Sequence, residues 1–163
     1  MARILYVLGG LLVVLGCAES VPLLADLVSG NPEWAVFAAS ALLTLFLGMA
    51  LLLANANHTE RLTIREAYLL TAIAWFILPI FGAVPFFFSA ESIGITDSVF
   101  ESVSGLTTTG STVLTGLDNY PPGLLLWRSM LQWSGGIGII VMGVAILPLL
   151  RVGGMQLMKT EAS

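Results

Sequence analysis

The most distinctive segment of this 163-residue chain spans residues 102–117, in which eleven of the sixteen residues are Ser, Thr or Gly. Drawn out as extended backbone, its centre would present carbonyl oxygens in series, and glycine would permit a backbone angle that other residues resist. Rings of such carbonyls can replace the hydration shell of a potassium ion. The segment therefore predicts a cation site built from the main chain. The candidate ligands are Thr107, Thr108, Thr109, Gly110 and Ser111.

A short helix is predicted immediately before this segment, over residues 96–106. Ser98 with Glu101 three residues later fits a capping box, and Asp97 is an alternative cap. About ten helical residues rise only about 15 Å, half of a bilayer core about 30 Å thick. The negative C-terminal end of such a helix favours a cation. We therefore predict a re-entrant pore helix followed by a filter over 107–113, with a Thr-rich outer loop of no function as the alternative.

Composition indicates the environment in which these elements must be placed. Hydrophobic residues make up 57% of the chain and charged residues 10%, with a mean hydropathy of +0.96. A soluble domain usually carries about 25% charged residues. These values exclude an ordinary soluble enzyme, a secreted disulfide scaffold and a nucleic-acid-binding protein. The sequence also offers no Cys/His cluster, nucleophile–base pair or phosphate loop, so we expect neither an enzyme nor a cofactor.

Four stretches are long and apolar enough to cross a bilayer, which takes about 20 helical residues. The fold class predicted is an all-α polytopic membrane protein with four transmembrane helices plus one re-entrant pore helix and filter loop. The predicted spans are 4–27, 34–54, 67–88 and 123–150. The predicted divisions are two N-terminal helices over 1–55, a cytoplasmic loop over 56–66 and a helix–pore loop–helix unit over 67–163.

The distribution of charges predicts the topology. Basic residues keep loops in the cytoplasm, which places both termini and the 56–66 loop inside. The basic residues on that side are Arg3, Arg61, Arg65, Arg151 and Lys159. The outer side would then carry only acids, which are Asp26, Glu33, Glu91, Asp97, Glu101 and Asp118. An acidic mouth would attract cations; the alternative is that the rule merely excludes bases there.

Several other residues inside the predicted spans could each play one of two roles. Arg128 could pair with Glu101 or Asp118 and support the pore loop, or extend its charge to the interface. Glu19 is expected to be interfacial or paired. Three glycines in the last span could form a gating hinge or allow close helix packing. They are Gly135, Gly136 and Gly138.

Residues 104–114 resemble the first pore loop of the Trk/Ktr/HKT superfamily of potassium transporters, and residues 127–157 resemble the helix and inner loop that follow it. The similarity is strongest to the bacterial TrkH branch, which also has two helices ahead of its first pore unit. The resemblance implies four non-identical pore units around one pore, each with a filter glycine. Gly110 matches that glycine, and the carbonyls of 108–111 would face the ion. Members with Ser there tend to admit sodium, so Gly110 indicates potassium.

The resemblance also implies partners and a location. It implies a cytosolic nucleotide-binding regulatory subunit, a dimer of protomers, and a place in the plasma (inner) membrane. This chain has one pore unit, so the others would come from the same longer chain, which we expect, or from further copies. The function expected is potassium uptake with K⁺ as the transported ion. The alternatives are a sodium-permeable channel subunit and a non-conducting membrane subunit or anchor.

Overall fold

A computed structural model describes residues 1–57, 62–90 and 93–161, with side chains as far as Val141. In this part of the chain the structure is helical and contains no strand. The all-α fold class is therefore confirmed. The helices are α1 Ala2–Ser29, α2 Trp34–Ala54, α3 Ile64–Gly82, α4 Val84–Phe88, α5 Ile95–Leu106 and α6 Pro122–Glu161, with a 3-10 helix at Leu117–Asn119 between α5 and α6.

Four helical stretches of the described chain are long and apolar enough to cross a membrane, which confirms the four predicted membrane helices. They are Ala2–Ser29, Trp34–Ala54, Ile64–Phe88 and Pro122–Val141. Helix α2 has the two bounds predicted for it. Helix α5, with twelve residues, rises only about 18 Å. Its re-entry into the bilayer stays a prediction.

The third span differs from its prediction at both its start and its middle. Helix α3 begins three residues earlier than expected because Thr63 and Glu66 form a capping box, in which each side chain bonds the other's backbone N–H at 3.3 and 2.9 Å. The span is then divided at Ala83 into α3 and α4. Pro85 lies in the first turn of α4, where its missing N–H costs least, and the Phe81 carbonyl therefore receives no bond from it, which favours a break at this point.

Helices α1 and α2 form a tightly packed hairpin. A Cβ atom added to Gly9 would lie 2.8 Å from the Gly48 carbonyl oxygen, so only glycine allows this approach. Gly30 ends α1 in the left-handed conformation with φ of 69°. Glu19 is fully buried in the hairpin, where the Thr44 hydroxyl lies 3.5 Å from its Oε1. Of the two expectations for Glu19, interfacial or paired, the structure supports the paired one, with the buried Thr44 hydroxyl as the partner.

Trp127 lies at the centre of the main hydrophobic core. Its Nε1 donates a hydrogen bond to the Gly82 carbonyl at 2.9 Å, and the Phe37 ring meets it edge-on at 6.4 Å between centroids. The core joins α1, α2, α4, α5 and α6 through Leu15, Phe37, Phe86, Leu106, Leu124, Trp127 and Leu131. Apolar side chains thus pack helix α5 against the other helices, while the loop that follows α5 is exposed.

Charged contacts mark the two ends of the helices. Arg3 forms a 3.5 Å ion pair with Glu66, which brings the starts of α1 and α3 together. Asp26 lies near the opposite end of α1, beside the start of α6, and Glu33, just before α2, lies beside Ala90 after α4. This grouping agrees with the predicted sorting of loops onto two sides, while the identity of the cytoplasmic side stays a prediction. Residues 58–61 and 91–92, which include the predicted positions of Arg61 and Glu91, lie outside the described chain.

The candidate ion-filter loop

The capping box predicted for α5 is wrong. Helix α5 begins at Ile95. Its N-cap residue is Gly94, which has no side chain to cap the helix. The Ser98 hydroxyl lies inside the first turn and donates to the Gly94 carbonyl at 3.1 Å. Glu101 instead faces away from the helix start, where it is fully buried. It finds a cation and two further donors there, and these outweigh the single backbone N–H that a capping box would supply.

The chain turns back on itself after α5 ends at Leu106. The amides of Thr109 and Gly110 donate to the Ser104 carbonyl at 3.0 and 3.3 Å, and the Thr108 amide donates to the Gly105 carbonyl at 2.9 Å. Thr108 and Gly110 both have positive φ, at 58° and 75°. The sequence indicated such an angle for glycine but not for Thr108, since a β-branched residue rarely adopts it. A strained threonine of this kind is typical of functional loops.

One buried carboxylate holds the 107–113 loop against α6. Glu101 Oε1 accepts hydrogen bonds from the Thr112 hydroxyl and the Val113 amide, both at 2.6 Å. Its second oxygen, Oε2, accepts from Arg128 Nε at 2.8 Å. Glu101 itself has no exposed surface. The carboxylate therefore fixes the far end of the loop and the guanidinium in one arrangement.

Arg128 extends this network to the centre of the loop. Its Nη2 donates to the Gly110 carbonyl at 3.2 Å, and the Ser104 hydroxyl donates to the Ser111 carbonyl at 2.6 Å. The carbonyls of Thr108 and Thr109 have no donor among the described residues. Protein donors thus engage two of the four carbonyls that were expected to face an ion. A carbonyl that accepts from a guanidinium is a poor ligand for a second cation, because the two positive charges would repel.

Asp118 is separate from this network. It is exposed in the 3-10 helix Leu117–Asn119, and it is not among the contacts that the structure describes for Arg128. The predicted choice between Glu101 and Asp118 as the partner of Arg128 therefore falls on Glu101. Burial explains this choice, because a fully buried carboxylate needs a compensating charge and an exposed one is already solvated.

The three glycines of α6 differ in their surroundings. A Cβ atom on Gly135 would overlap the Leu106 carbonyl oxygen, so α6 touches the end of α5 at this point. A Cβ on Gly136 would lie 3.8 Å from Thr108 Cγ2, and one on Gly138 would meet nothing within 4 Å. Helix α6 runs without a break through all three. Close packing accounts for Gly135, while a gating hinge at these positions stays a prediction.

The predicted acidic mouth requires correction. Asp26 and Glu101 have no exposed surface, and Glu33 is 8% exposed. Their carboxylates bond to the protein instead of facing water: Asp26 accepts from the Gly123 amide at 2.7 Å and Glu33 from the Ala90 amide at 2.8 Å. Only Asp97 and Asp118 are exposed among the predicted outer acids that the structure describes. Sequence reasoning missed these bonds because their partners are distant along the chain.

Known proteins resemble this chain closely. The family profile described as "TrkH: Cation transport protein" matches residues 34–163. The Trk system potassium uptake protein TrkH of Halomonas elongata is 42% identical over 97% of this chain and 33% of that protein. Its counterpart in Escherichia coli is 45% identical over 93% of this chain and 32% of that protein. These relatives are named as transport proteins, not as enzymes.

A solved structure gives the same picture. The crystal structure of the potassium transporter TrkH from Vibrio parahaemolyticus matches with a TM-score of 0.87 and 38% identity, over 94% of this chain and 33% of that one. The chain therefore spans about a third of the length of the relatives that it matches. The family profile covers most of the chain, and the fold and the sequence agree with it. The chain belongs to the TrkH family of cation transport proteins.

Proposed function

We propose that the chain supplies one unit of a potassium-selective pore, in which the 107–113 loop forms a quarter of the selectivity filter. The observation that carries this proposal is the sequence of backbone angles along the loop. Positive φ at Thr108 and at Gly110 alternates with negative φ at Thr107, Thr109 and Ser111.

Alternating φ changes the direction of the carbonyls. Successive peptide groups of a regular strand alternate in direction. Here the amides of Thr108, Thr109 and Gly110 all donate back to the Ser104 and Gly105 carbonyls at the end of α5. Because the N–H and C=O of a trans peptide point in opposite directions, the carbonyls of Thr108 and Thr109 both point away from α5. The carbonyls left without protein donors belong to Thr108 and Thr109. These two are the potassium ligands that we propose, with Gly110 supplying the backbone angle that aligns them. This narrows the ligand set 107–111 expected from the sequence.

The surroundings of the loop favour a cation and hold the loop still. The loop follows the C-terminal end of α5, where the helix dipole is negative. The loop is held in place by the hydrogen bonds described above, which it forms with Glu101, Arg128 and Ser104. We assign Glu101 and Arg128 the role of positioning residues. A filter that selects between ions by its carbonyls needs such support, because a collapsing loop would fit the smaller ion as well.

Potassium as the transported ion rests on the relatives. The proteins matched from Halomonas elongata and Escherichia coli are named as potassium uptake proteins. We propose the same transported ion for this chain. Gly110, which matches the filter glycine that the resemblance implies, agrees with this choice. The remaining pore units would come from the same longer chain or from further copies. A nucleotide-binding regulatory subunit in the cytosol, a dimer of protomers and cytoplasmic termini in the plasma membrane complete the proposal.

The first experiment measures ion selectivity. The complete protein, as its host produces it, is purified from the membrane in detergent. Its protein mass is determined by light scattering, with the contribution of the detergent subtracted. Tracer fluxes of potassium and sodium are then measured in liposomes. We expect potassium to be preferred, and Gly110→Ser to lower the ratio of potassium to sodium flux about tenfold, because a side chain at a left-handed φ costs about 1–2 kcal/mol.

Gly116→Ser provides the matched control. Gly116 has φ of 70°, close to the 75° of Gly110, and a Cβ there would have similar space, with its nearest neighbour at 3.5 Å against 3.7 Å. The backbone strain is therefore equal, but Gly116 lies outside the 107–113 loop. We expect the control to leave the flux ratio unchanged. Equal ratios in the two variants would refute the filter assignment, and an absence of flux from every assembly would favour a non-conducting subunit.

A further inference from the structure

The α1–α2 hairpin touches the segment that contains the filter loop at both ends of that segment. The Asp26 carboxylate accepts from the Gly123 amide at 2.7 Å, at the start of α6. The Glu33 carboxylate accepts from the Ala90 amide at 2.8 Å, just after α4. Helix α5, the 107–113 loop and the 3-10 helix all lie between Ala90 and Gly123. Two carboxylates of one hairpin thus hold the two ends of that segment.

Each contact is of a strong type, and both acceptor side chains are buried. Hydrogen bonds from a backbone N–H to a carboxylate are charge-assisted and stronger than neutral ones. Asp26 has no exposed surface and Glu33 is 8% exposed, so water competes little for either oxygen. The Gly123 amide is one of the N–H groups that the first turn of α6 leaves without an internal partner. Asp26 supplies that partner from another helix.

The sequence around these contacts is fitted to them. A Cβ atom on Gly123 would overlap the Asp26 carboxylate, so glycine is required for the carboxylate to approach the amide. Between the two acids, the Asn31 amide donates to the Asp26 carbonyl and the Asn31 side chain accepts from the Glu33 amide, both at 2.9 Å. The turn therefore fixes the spacing of the two carboxylates. A rigid spacer of this kind can set the distance between the two ends that it holds.

We propose that Asp26 and Glu33 are positioning residues, through which the N-terminal hairpin sets the geometry of the filter loop. The inference rests on the function proposed above for the 107–113 loop. It gives the hairpin a role beyond anchoring the chain in the membrane. Loss of either contact frees one end of the segment, and the loop then samples conformations in which Thr108 and Thr109 no longer align.

The test uses two readouts on the whole protein as its host makes it. Asp26→Ala and Glu33→Ala remove the acceptors, whereas Asp26→Asn and Glu33→Gln keep an acceptor oxygen. The Asn replacement is well matched, because Asp26 Oδ2 has no hydrogen-bond partner among the described residues. Hydrogen exchange of the 107–116 peptide in detergent and the ratio of potassium to sodium flux in liposomes are measured for each variant. Asp97→Ala, which removes an exposed acid of α5, is the control.

We expect about tenfold faster exchange of the loop peptide in the Ala variants, the typical effect of losing one charge-assisted hydrogen bond. The flux ratio should fall in the same variants, and the Asn and Gln variants should recover both readouts. Exchange and flux ratio equal to the Asp97→Ala control in both Ala variants would overturn the proposal. If Asp26→Ala does not fold, Glu33→Ala and Glu33→Gln decide it alone. Faster exchange with no selective flux in any protein would support the hairpin's role and count against the filter instead.

Discussion

Arg128 and Glu101 form an ion pair with 2.8 Å between Nε and Oε2, in which the carboxylate is fully buried and the guanidinium side chain is 18% exposed. The same carboxylate accepts from the Val113 amide, and the same guanidinium donates to the Gly110 carbonyl. The pair therefore connects the centre of the candidate filter loop to its far end. A loop that contains a strained threonine, here Thr108, needs such connections to keep its shape.

Replacing Glu101 with Gln is expected to destabilise the protein by about 3–5 kcal/mol, the cost of breaking a buried ion pair by removing one partner. The amide nitrogen of the new side chain would face Arg128 Nε, so two donors would oppose each other. Chemical unfolding in mild detergent, followed by circular dichroism, measures the effect. Asp97→Asn removes an exposed carboxylate from the same helix and should change the stability little.

A double variant separates the ion pair from the other bonds of Glu101. Glu101→Gln combined with Arg128→Gln should be more stable than the sum of the two single changes indicates, because no unpaired charge is left buried. Strict additivity of the two changes would show that the pair is not coupled. In that case the two residues would support the loop independently, Arg128 through the Gly110 carbonyl and Glu101 through Thr112 and Val113.

The membrane helices could be predicted because local sequence determines them. Apolar length alone located α2 to the residue. The break at Ala83 was not predicted, because the uniformly apolar stretch 67–88 indicates one continuous span, whereas the structure begins a new helix at Val84. The bounds of α5 were predicted to within one residue, but its cap was not. Ser98 and Glu101 have the spacing of a capping box, but the tertiary partners of Glu101 outweigh it.

The site itself could be predicted only in part. The glycine-containing Thr run indicated the loop, and Arg128 was expected to meet either Glu101 or Asp118, which only tertiary structure could decide. The hydrogen bonds of Asp26 and Glu33 span 97 and 57 residues along the chain, and no local sequence pattern predicts contacts between residues so far apart. The positive φ of Thr108 was equally out of reach, since threonine disfavours it and only the surrounding hydrogen bonds impose it.

Replacing Trp127 with Phe is expected to cost about 1–3 kcal/mol, because the Gly82 carbonyl would lose its buried donor while most of the ring's packing remains. Thermal unfolding in detergent, monitored by circular dichroism, checks this. Trp133→Phe on the same helix is the control, since that side chain is 73% exposed. A loss of stability as large for Trp133 as for Trp127 would contradict the importance of the bond to Gly82.

The contact between α6 and the end of α5 gives the sharpest pair of glycine variants. Gly135→Ala would place its methyl group on the Leu106 carbonyl oxygen, so α6 must move away from α5, at a cost of about 1–3 kcal/mol or more. Gly138→Ala, one turn away, meets nothing within 4 Å and should stabilise the helix by up to about 1 kcal/mol. The two free energies of unfolding in detergent should therefore change in opposite directions. A stabilising Gly135→Ala would mean that the helices do not approach at this point, and a strongly destabilising Gly138→Ala would point to a need for flexibility there, as a hinge requires.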